Sequence, residues 1–259
     1  MIAIIPAKGY SSRLPNKNSR PLCGVPLVAW SIIQAKQARQ IDEVYVSTND
    51  DNIARITEQY SGKVIWRDYK EDVDDSGGVP IYQALEKLAL DNQAFVNILC
   101  TSPLRYPGMM ESMIDLWYSN EEIEVVTALG RDRECQVSKD IGGGKFESVL
   151  CVKDYSILYG SNSMCVSTTD GYKKQFEWCR DNIGVLDSTI DAVQNSGEAP
   201  KTPKTAIVSV YYPVHVWQTF ETDTEYDFRI CEVLMENLIL KGRPWRDVYG
   251  RERKETDLF

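Results

Sequence analysis

The sequence predicts an α/β domain built on a mostly parallel sheet flanked by helices. Three observations lead there. Strand and helix signals alternate in a βαβαβαβ order through the first half of the chain. The segment AFVNILCT from Ala94 is almost continuously apolar, as a central parallel strand buried on both faces must be. The 259 residues, 43% hydrophobic and 26% charged, are enough for one large globular core.

The elements follow in order. IAIIP (Ile2 to Pro6) is the first strand, and the apolar positions from Val25 to Gln37, with Leu27, Trp30 and Ile33 at helical spacing, predict the first helix. EVYVST (Glu43 to Thr48) is a β-branched strand, followed by a helix capped by Asn49 or Asp50. KVIWR is a strand. A loop with Asp75, Ser76 and two glycines leads to an amphipathic helix from Pro80 to Leu90. After AFVNILCT come a helix from Pro107 to Trp117 and the strand EVVTAL.

The rhythm then breaks. Residues 131–160 contain three consecutive glycines and mixed charges, and they read as an insertion leaving the main sheet. Two readings stay open, a β-rich arm contacting a partner subunit and a plain surface hairpin. NSMCVST returns as a strand, KKQFEWCRDNI as a helix and TAIVSVYYPV as a strand. TDTEYDFRICEVLMENLIL is a strong helix with Phe228, Cys231, Leu234 and Leu238 on one face. The tail after Lys241 is polar and is expected to wrap the surface or fray.

The loop after the first strand carries the chemistry. It holds Lys8, Gly9, Ser11, Ser12, Arg13, Lys17, Asn18 and Arg20. Gly9 and the serines let backbone N–H groups approach an anion, and the cations supply the charge a triphosphate needs. There is neither a GxxxxGK[ST] nor a GxGxxG pattern. A basic, solvated strand-to-helix connection is the plain alternative. It leaves unexplained why four cations (Lys8, Arg13, Lys17, Arg20) crowd one loop of a chain of net charge -9.

Composition narrows the classes. The acidic balance opposes general nucleic-acid binding, and no apolar run approaches the ~20 residues of a membrane span. The short first apolar stretch lacks the pattern of a secretory signal, so a cytoplasmic location is expected. Seven scattered cysteines without a CxxC pair fit reduced thiols better than disulfides or zinc. The one histidine, His215, rules out a multi-histidine metal site, and its apolar, β-branched surroundings favour a structural or substrate-facing role over a general base.

Far down the chain, QTFETDTEYDF places Glu221 and Asp223 two apart. In extended backbone they point to one side, at a strand end just before a helix for which Thr222 or Thr224 has capping register. Paired carboxylates there suit Mg²⁺, which takes its other ligands from phosphate oxygens and water. They would also serve as a solvated helix cap. Next to a triphosphate, a metal implies nucleotidyl or phosphoryl transfer, chemistry that needs neither a histidine nor a cysteine nucleophile.

Several motifs taken together resemble the sugar-acid cytidylyltransferases, the family of the CMP-sialic acid and CMP-nonulosonic acid synthetases. Ile5-Pro6-Ala7-Lys8-Gly9 with Pro15-Asn16-Lys17-Asn18 resembles that family's IPARGGSKxxPxKN, and Val46-Ser47-Thr48-Asn49-Asp50 its VSTDD. Thr101-Ser102-Pro103-Leu104-Arg105 resembles its QPTSPLR, and Asn162-Ser163 falls where it has NGAIY. Asp223 to Phe228 resembles its DIDTEEDF, and Ser11 to Lys17 is similar to the S-T-R-L-P-x-K of the 3-deoxy-manno-octulosonate enzymes.

The resemblance implies a Rossmann-like sheet of the nucleotide-diphospho-sugar transferase type with a small dimerisation arm. It implies Mg²⁺-dependent transfer of CMP from CTP to a 2-keto sugar acid, with release of pyrophosphate, in a homodimer. By position, Lys8, Lys17 and Asp223 would be catalytic. Ala7, Lys8, Gly9, Ser12, Arg13, Lys17, Asn18 and Arg67 would hold the nucleotide. Thr101, Ser102, Arg105 and Asn162 would face the sugar acid, and Glu221 and Asp223 would ligate the metal.

The chain also departs from that family. Lys8 stands for its arginine, Glu221 for its aspartate, Tyr10 for a loop glycine, and Leu99-Cys100 for a Gln-Pro whose glutamine is associated with the acceptor. These changes bear on the acceptor more than on the nucleotide, and an acid of the legionaminic or pseudaminic type is a fair expectation. The other readings are transfer to a sugar phosphate from another nucleotide, a nucleotide-binding homologue without catalysis, and a scaffold.

Overall fold

A computed structural model describes residues 1–67, 79–90, 92–132, 135–142, 145–152, 157–181 and 209–250. The loop expected around Asp75 and Ser76 lies outside them, as do residues 251–259. The strands are β1 (Ile2–Pro6), β2 (Pro21–Leu22), β3 (Val25–Pro26), β4 (Glu43–Thr48), β5 (Lys63–Trp66), β6 (Ala94–Ile98), β7 (Val125–Asp132), β8 (Cys135–Gly142), β9 (Lys145–Val152), β10 (Ile157–Thr168) and β11 (Ser209–Val214). The helices are α1 (Leu27–Gln37), α2 (Asp51–Gln59), α3 (Val79–Leu88), α4 (Met109–Tyr118), α5 (Thr169–Asp181), α6 (Glu225–Leu234) and α7 (Trp245–Tyr249).

The main sheet has the order β11-β7-β10-β6-β1-β4-β5. β1 is parallel to both β4 and β6, β4 to β5, and β11 to β7. Only β10 runs against its neighbours, antiparallel to β6 and β7. Alternating strands and helices thus give the mostly parallel sheet expected of them. The chain goes from β1 outward to β4 and β5, then returns to the other side of β1 as β6. Order reverses there, and loops at the carboxyl ends of strands around such a point form a crevice.

The local sequence accounts for each boundary. Val25 does not begin the first helix. Cys23 and Gly24 both take positive φ (48° and 78°), a two-residue turn that pairs Leu22 with Val25. Helix α1 therefore starts at Leu27, and its residues Leu27 to Ala35 are all buried. A helix apolar around its whole circumference belongs inside a core. Asp50 caps α2, its Oδ1 accepting from Ile53 N at 2.8 Å.

The predicted face of the last long helix shifts. Its second half is a π-helix over Met235–Leu240, so the buried positions are Phe228, Cys231, Met235, Ile239 and Leu240, with Leu234 and Leu238 at the margin. A wider turn advances the inward position by one residue. The tail after Lys241, expected to wrap the surface or fray, forms α7 with Val248 and Tyr249 buried, and residues 251–259 lie outside the described residues. Tyr249 sets its ring edge-on to Trp30 at 5.9 Å and donates its hydroxyl to Arg105 O at 2.5 Å.

β8 and β9 pair only with each other. The excursion from the main sheet is narrower than 131–160, because Arg131 and Asp132 of β7 pair with Leu158 and Ile157 of β10. No side chain from 129 to 163 is described. The four cysteines with described side chains, Cys23, Cys100, Cys165 and Cys231, are free thiols.

Candidate active site

The crevice at the β1 switch point is built from four strand ends. Beyond β1, Ala7 N donates to Ser47 O at 2.9 Å, so the chain hugs β4 for one more residue. Gly9 N then donates to Asn49 Oδ1 at 3.1 Å. A Cβ on Gly9 would stand 2.5 Å from Asp50 Oδ2 and 2.6 Å from Asp50 Cβ, so only glycine fits.

Asn16 takes a left-handed conformation (φ 55°) and starts a single 3-10 turn over Lys17–Ser19. The turn directs Lys17 and Asn18 inward, and both are buried. Asn18 Nδ2 donates to Lys8 O at 2.8 Å, and the Cys100 thiol donates to Asn18 Oδ1 at 3.2 Å. The amide of Asn18 is therefore oriented from both ends. Its thiol partner occupies the position where the resemblance expected proline.

Across the crevice lies the segment from His215 to Thr224. Glu221 and Asp223 sit in an irregular stretch between a 3-10 turn (Val216–Thr219) and α6, where a strand end had been expected. Thr222 between them is fully buried. Its N–H and hydroxyl both donate to Thr101 O, at 2.9 and 3.2 Å. Thr224, and not Thr222, caps α6 through a reciprocal box with Asp227.

The two halves meet at Asp223. Lys17 Nζ lies 2.7 Å from its Oδ1, and Arg13 NH1 lies 2.9 Å from its Oδ2. Arg20 adds a second tie, a two-pronged pair with Glu225 (NH2 to Oε1 2.8 Å), and its guanidinium lies over the Phe228 ring at 4.5 Å. Burial pushes the Asp223 carboxyl up, but Lys17 and Arg13 outweigh it and hold the group below the ordinary carboxylate range. Glu221 moves the other way. Burial, and then the charge of Asp223, raise it, with Lys17, the Ser102 hydroxyl and Arg13 opposing.

Lys8, Gly9, Arg13, Lys17, Asn18, Thr101, Ser102, Glu221 and Asp223 thus come together. Ser12 is an exposed part of the same loop. Arg67 is buried just past β5, with its N–H on Thr48 O at 2.9 Å, and its charge reaches the Cys100 thiol. Arg105 lies in the core behind the crevice, where its charge reaches the Cys100 thiol. It is 1% exposed, and its guanidinium donates to Gln34 Oε1 at 2.9 Å and Leu99 O at 2.7 Å, a brace under α1 that a sugar acid could reach only by opening the core. Asn162 lies in β10, and its side chain is outside the described set. His215 stacks on Trp217 at 6.0 Å beside Tyr106, a packing role.

The sequence offered Thr222 only as a possible helix cap, and it gave no sign of Cys100 as the partner of Asn18 or of Glu225 as the partner of Arg20. The alternation that points residues 221 and 223 to one side also sends 222 to the other, which would have identified Thr222. Nothing local in the sequence ties Cys100 to Asn18. Among the described residues no group of three or more His, Cys, Asp or Glu could hold a metal, so an ion between Glu221 and Asp223 needs ligands from substrate and water. The donor set fits that demand. Two hard carboxylate oxygen donors, Glu221 and Asp223, lie close enough for the charge of Asp223 to raise Glu221.

Comparison with known proteins bears on the fold and the family. The fold matches a CMP:2-keto-3-deoxy-manno-octonic acid synthetase complexed with CTP, with TM-score 0.64 over 91% of this chain and 98% of that one at 17% identity. A CMP-N,N'-diacetyllegionaminic acid synthase from Legionella pneumophila is 33% identical over 45% of this chain and 52% of its own length. A pseudaminic acid cytidylyltransferase from Campylobacter jejuni is 30% identical over 46% of this chain and 54% of its own. The chain spans about half the length of these curated relatives. Residues 2–141, which carry the loop after β1 and the Thr101-Ser102 turn, match the family model described as Cytidylyltransferase, and the chain belongs to that family.

Proposed function

We propose that the protein is a Mg²⁺-dependent cytidylyltransferase that moves CMP from CTP to the anomeric hydroxyl of a 2-keto sugar acid of the nonulosonic type, releasing pyrophosphate. The observation that carries this reading is the meeting of Lys17 and Arg13 with Asp223, beside Glu221, at the sheet's switch point. A triphosphate placed there draws the two cations from the acid and leaves Asp223 and Glu221 facing the phosphates. Mg²⁺ held by those acids supplies charge neutralisation at the phosphates.

The other residues position the reactants. Gly9 and Ala7 line the triphosphate with backbone, and Lys8 adds a point charge without an arginine's fork. Asn18, fixed by Cys100, faces the cytosine or ribose, and Arg67 backs the nucleotide from β5. Thr101 and Ser102 lie where the sugar acid enters. In this reading the protein works in the cytoplasm as a homodimer and supports surface-polysaccharide synthesis, with the β8–β9 hairpin as its subunit contact. Among the described residues no helix is long and apolar enough to cross a membrane.

The deciding experiment is pyrophosphate release with each of the four nucleoside triphosphates against sialic, legionaminic and pseudaminic acids and sugar 1-phosphates. CTP with a keto acid, and Mg²⁺ required, is the expected result. Turnover of a sugar 1-phosphate instead would overturn the acceptor class. CTP binding without turnover on any acceptor would identify a homologue that has lost catalysis.

A further inference from the structure

A second cavity lies away from the crevice, between α1, the end of α2 and α7, with a volume of about 660 Å³. That is within the range of sites for drug-sized ligands. It shares no lining residue with the loop after β1 or with Glu221 and Asp223. Its lining includes the apolar and aromatic side chains Ile33, Tyr60, Trp245 and Tyr249 beside the polar Gln37, Gln59 and Ser61. The Tyr60 and Trp245 rings lie 6.4 Å apart and tilted, so neither closes over the other.

The rim is cationic. Lys36, Arg39 and Arg246 line it, and no lining residue is an acid. Arg39 gives its Nε to the buried Glu111 at 3.3 Å, yet its side chain is 59% exposed. Arg246 lies over the Trp245 ring at 4.7 Å and forms no ion pair among the described residues. Lys36 donates to Ser61 O at 3.1 Å, which holds its ammonium at the mouth. A chain of net charge -9 keeps three cations round one cavity with no carboxylate in its lining. An anion there meets Lys36, Arg246 and Arg39, of which Glu111 neutralises only the last.

We propose that this groove is a binding site for a small anionic ligand with a flat ring, of which a nucleoside monophosphate is the type: the ring against Trp245 and Tyr60, the phosphate at Arg39, Arg246 and Lys36. The proposal is independent of the catalytic reading.

Calorimetric titration of the full chain with AMP, adenosine and inorganic phosphate tests it, on wild type, Lys17→Ala, Trp245→Phe and the double variant Arg39→Gln with Arg246→Gln. Both rim arginines are exposed, but Arg39→Gln takes the counter-charge from buried Glu111, which keeps the Arg39 N–H as a donor. Melting temperature is therefore measured, and the single variant Arg246→Gln, which breaks no ion pair among the described residues, is titrated beside the double one. AMP is expected to bind wild type and Lys17→Ala alike, and more tightly than adenosine or phosphate. The double variant is expected to weaken AMP by about tenfold or more, since each charged hydrogen bond lost is worth about that factor. Quenching of tryptophan emission by AMP should be lost in Trp245→Phe. Equal binding of AMP and phosphate, unchanged affinity in the double variant, loss of binding in Lys17→Ala, or no binding at millimolar AMP would each overturn the assignment.

Discussion

Lys17 Nζ stands 2.7 Å from Asp223 Oδ1, although 206 residues separate them in the chain. Arg13 takes the other oxygen of the same carboxylate at 2.9 Å. In the proposed reading, the acid and the cations hold one another's places until a triphosphate binds. Asp223→Asn should therefore remove turnover and also lower stability, because it leaves the largely buried Lys17 ammonium without its counter-charge. With Asp223 partly in solvent, the loss is about 1–3 kcal/mol. Lys17→Met should cost less stability, since Arg13 still pairs with Asp223, but should weaken CTP by about tenfold to a hundredfold. Urea midpoints and CTP titrations measure both effects. Full activity in Asp223→Asn would remove the proposed metal site.

Gly9 serves by having no side chain. A methyl group there would meet Asp50 Cβ at 2.6 Å and Cγ at 2.8 Å, close to the backbone where the acid cannot swing away. Asp50 is also the cap of α2. Gly9→Ala should push the two loops apart, cost about 1–3 kcal/mol in overpacking and raise KM for CTP. A variant with wild-type melting temperature and KM would show that the loops separate freely.

The sheet was legible because its signals are local. β4 spans the β-branched run EVYVST, and the apolar run from Ala94 became β6, between a parallel and an antiparallel neighbour. What escaped depended on distant partners or on rare backbone geometry. The Cys23-Gly24 turn took Val25 from the helix, and the π-helical stretch moved the buried face from Leu238 to Ile239. Tyr249 looked like part of a polar tail because its partners, Trp30 and the Arg105 carbonyl, are remote in sequence.

Charge made the site legible in the same way. A cation-rich loop and a pair of acids in one chain have an electrostatic reason to meet, and they do. Arg105 shows the limit of reading a motif by position. Its neighbours Thr101 and Ser102 reach the crevice, but the turn sends its guanidinium beneath α1. Burial pulls Arg105 down to about 10, still far above neutrality, so it stays charged and bound to its acceptors.

Thr222 tests whether the spacing of Glu221 and Asp223 matters. Its hydroxyl and N–H share the Thr101 carbonyl, which fixes the loop that carries both acids. Thr222→Ser keeps both bonds, whereas Thr222→Val keeps only the backbone one and should cost about 0.5–1.5 kcal/mol. If the strap positions the acids, Val should lower kcat and raise the Mg²⁺ requirement, and Ser should restore both. Loss of stability with unchanged Mg²⁺ dependence would make Thr222 a packing residue only.

The buried thiols predict the behaviour of the fold in alkali. Burial pushes Cys100 up to about 11 and Cys231 to about 12, while an unfolded thiol titrates near 8.5. Between those values the unfolded chain has released protons that the folded chain still holds, so stability falls as pH rises. The contribution is complete below the unfolded value and is lost as pH climbs through about 9 toward 11 and 12, at about 1.4 kcal/mol per pH unit for each thiol. Melting temperatures measured from pH 8 to 11 should drop steeply above 9, and Cys231→Ala should flatten that drop while lowering stability at pH 8 through its cavity. The Cys100 thiol should likewise resist alkylation at pH 8 in the folded protein, because it is neutral, enclosed and bonded to Asn18. A flat pH profile in wild type, or rapid alkylation of Cys100 without unfolding, would show that water reaches these sulfurs.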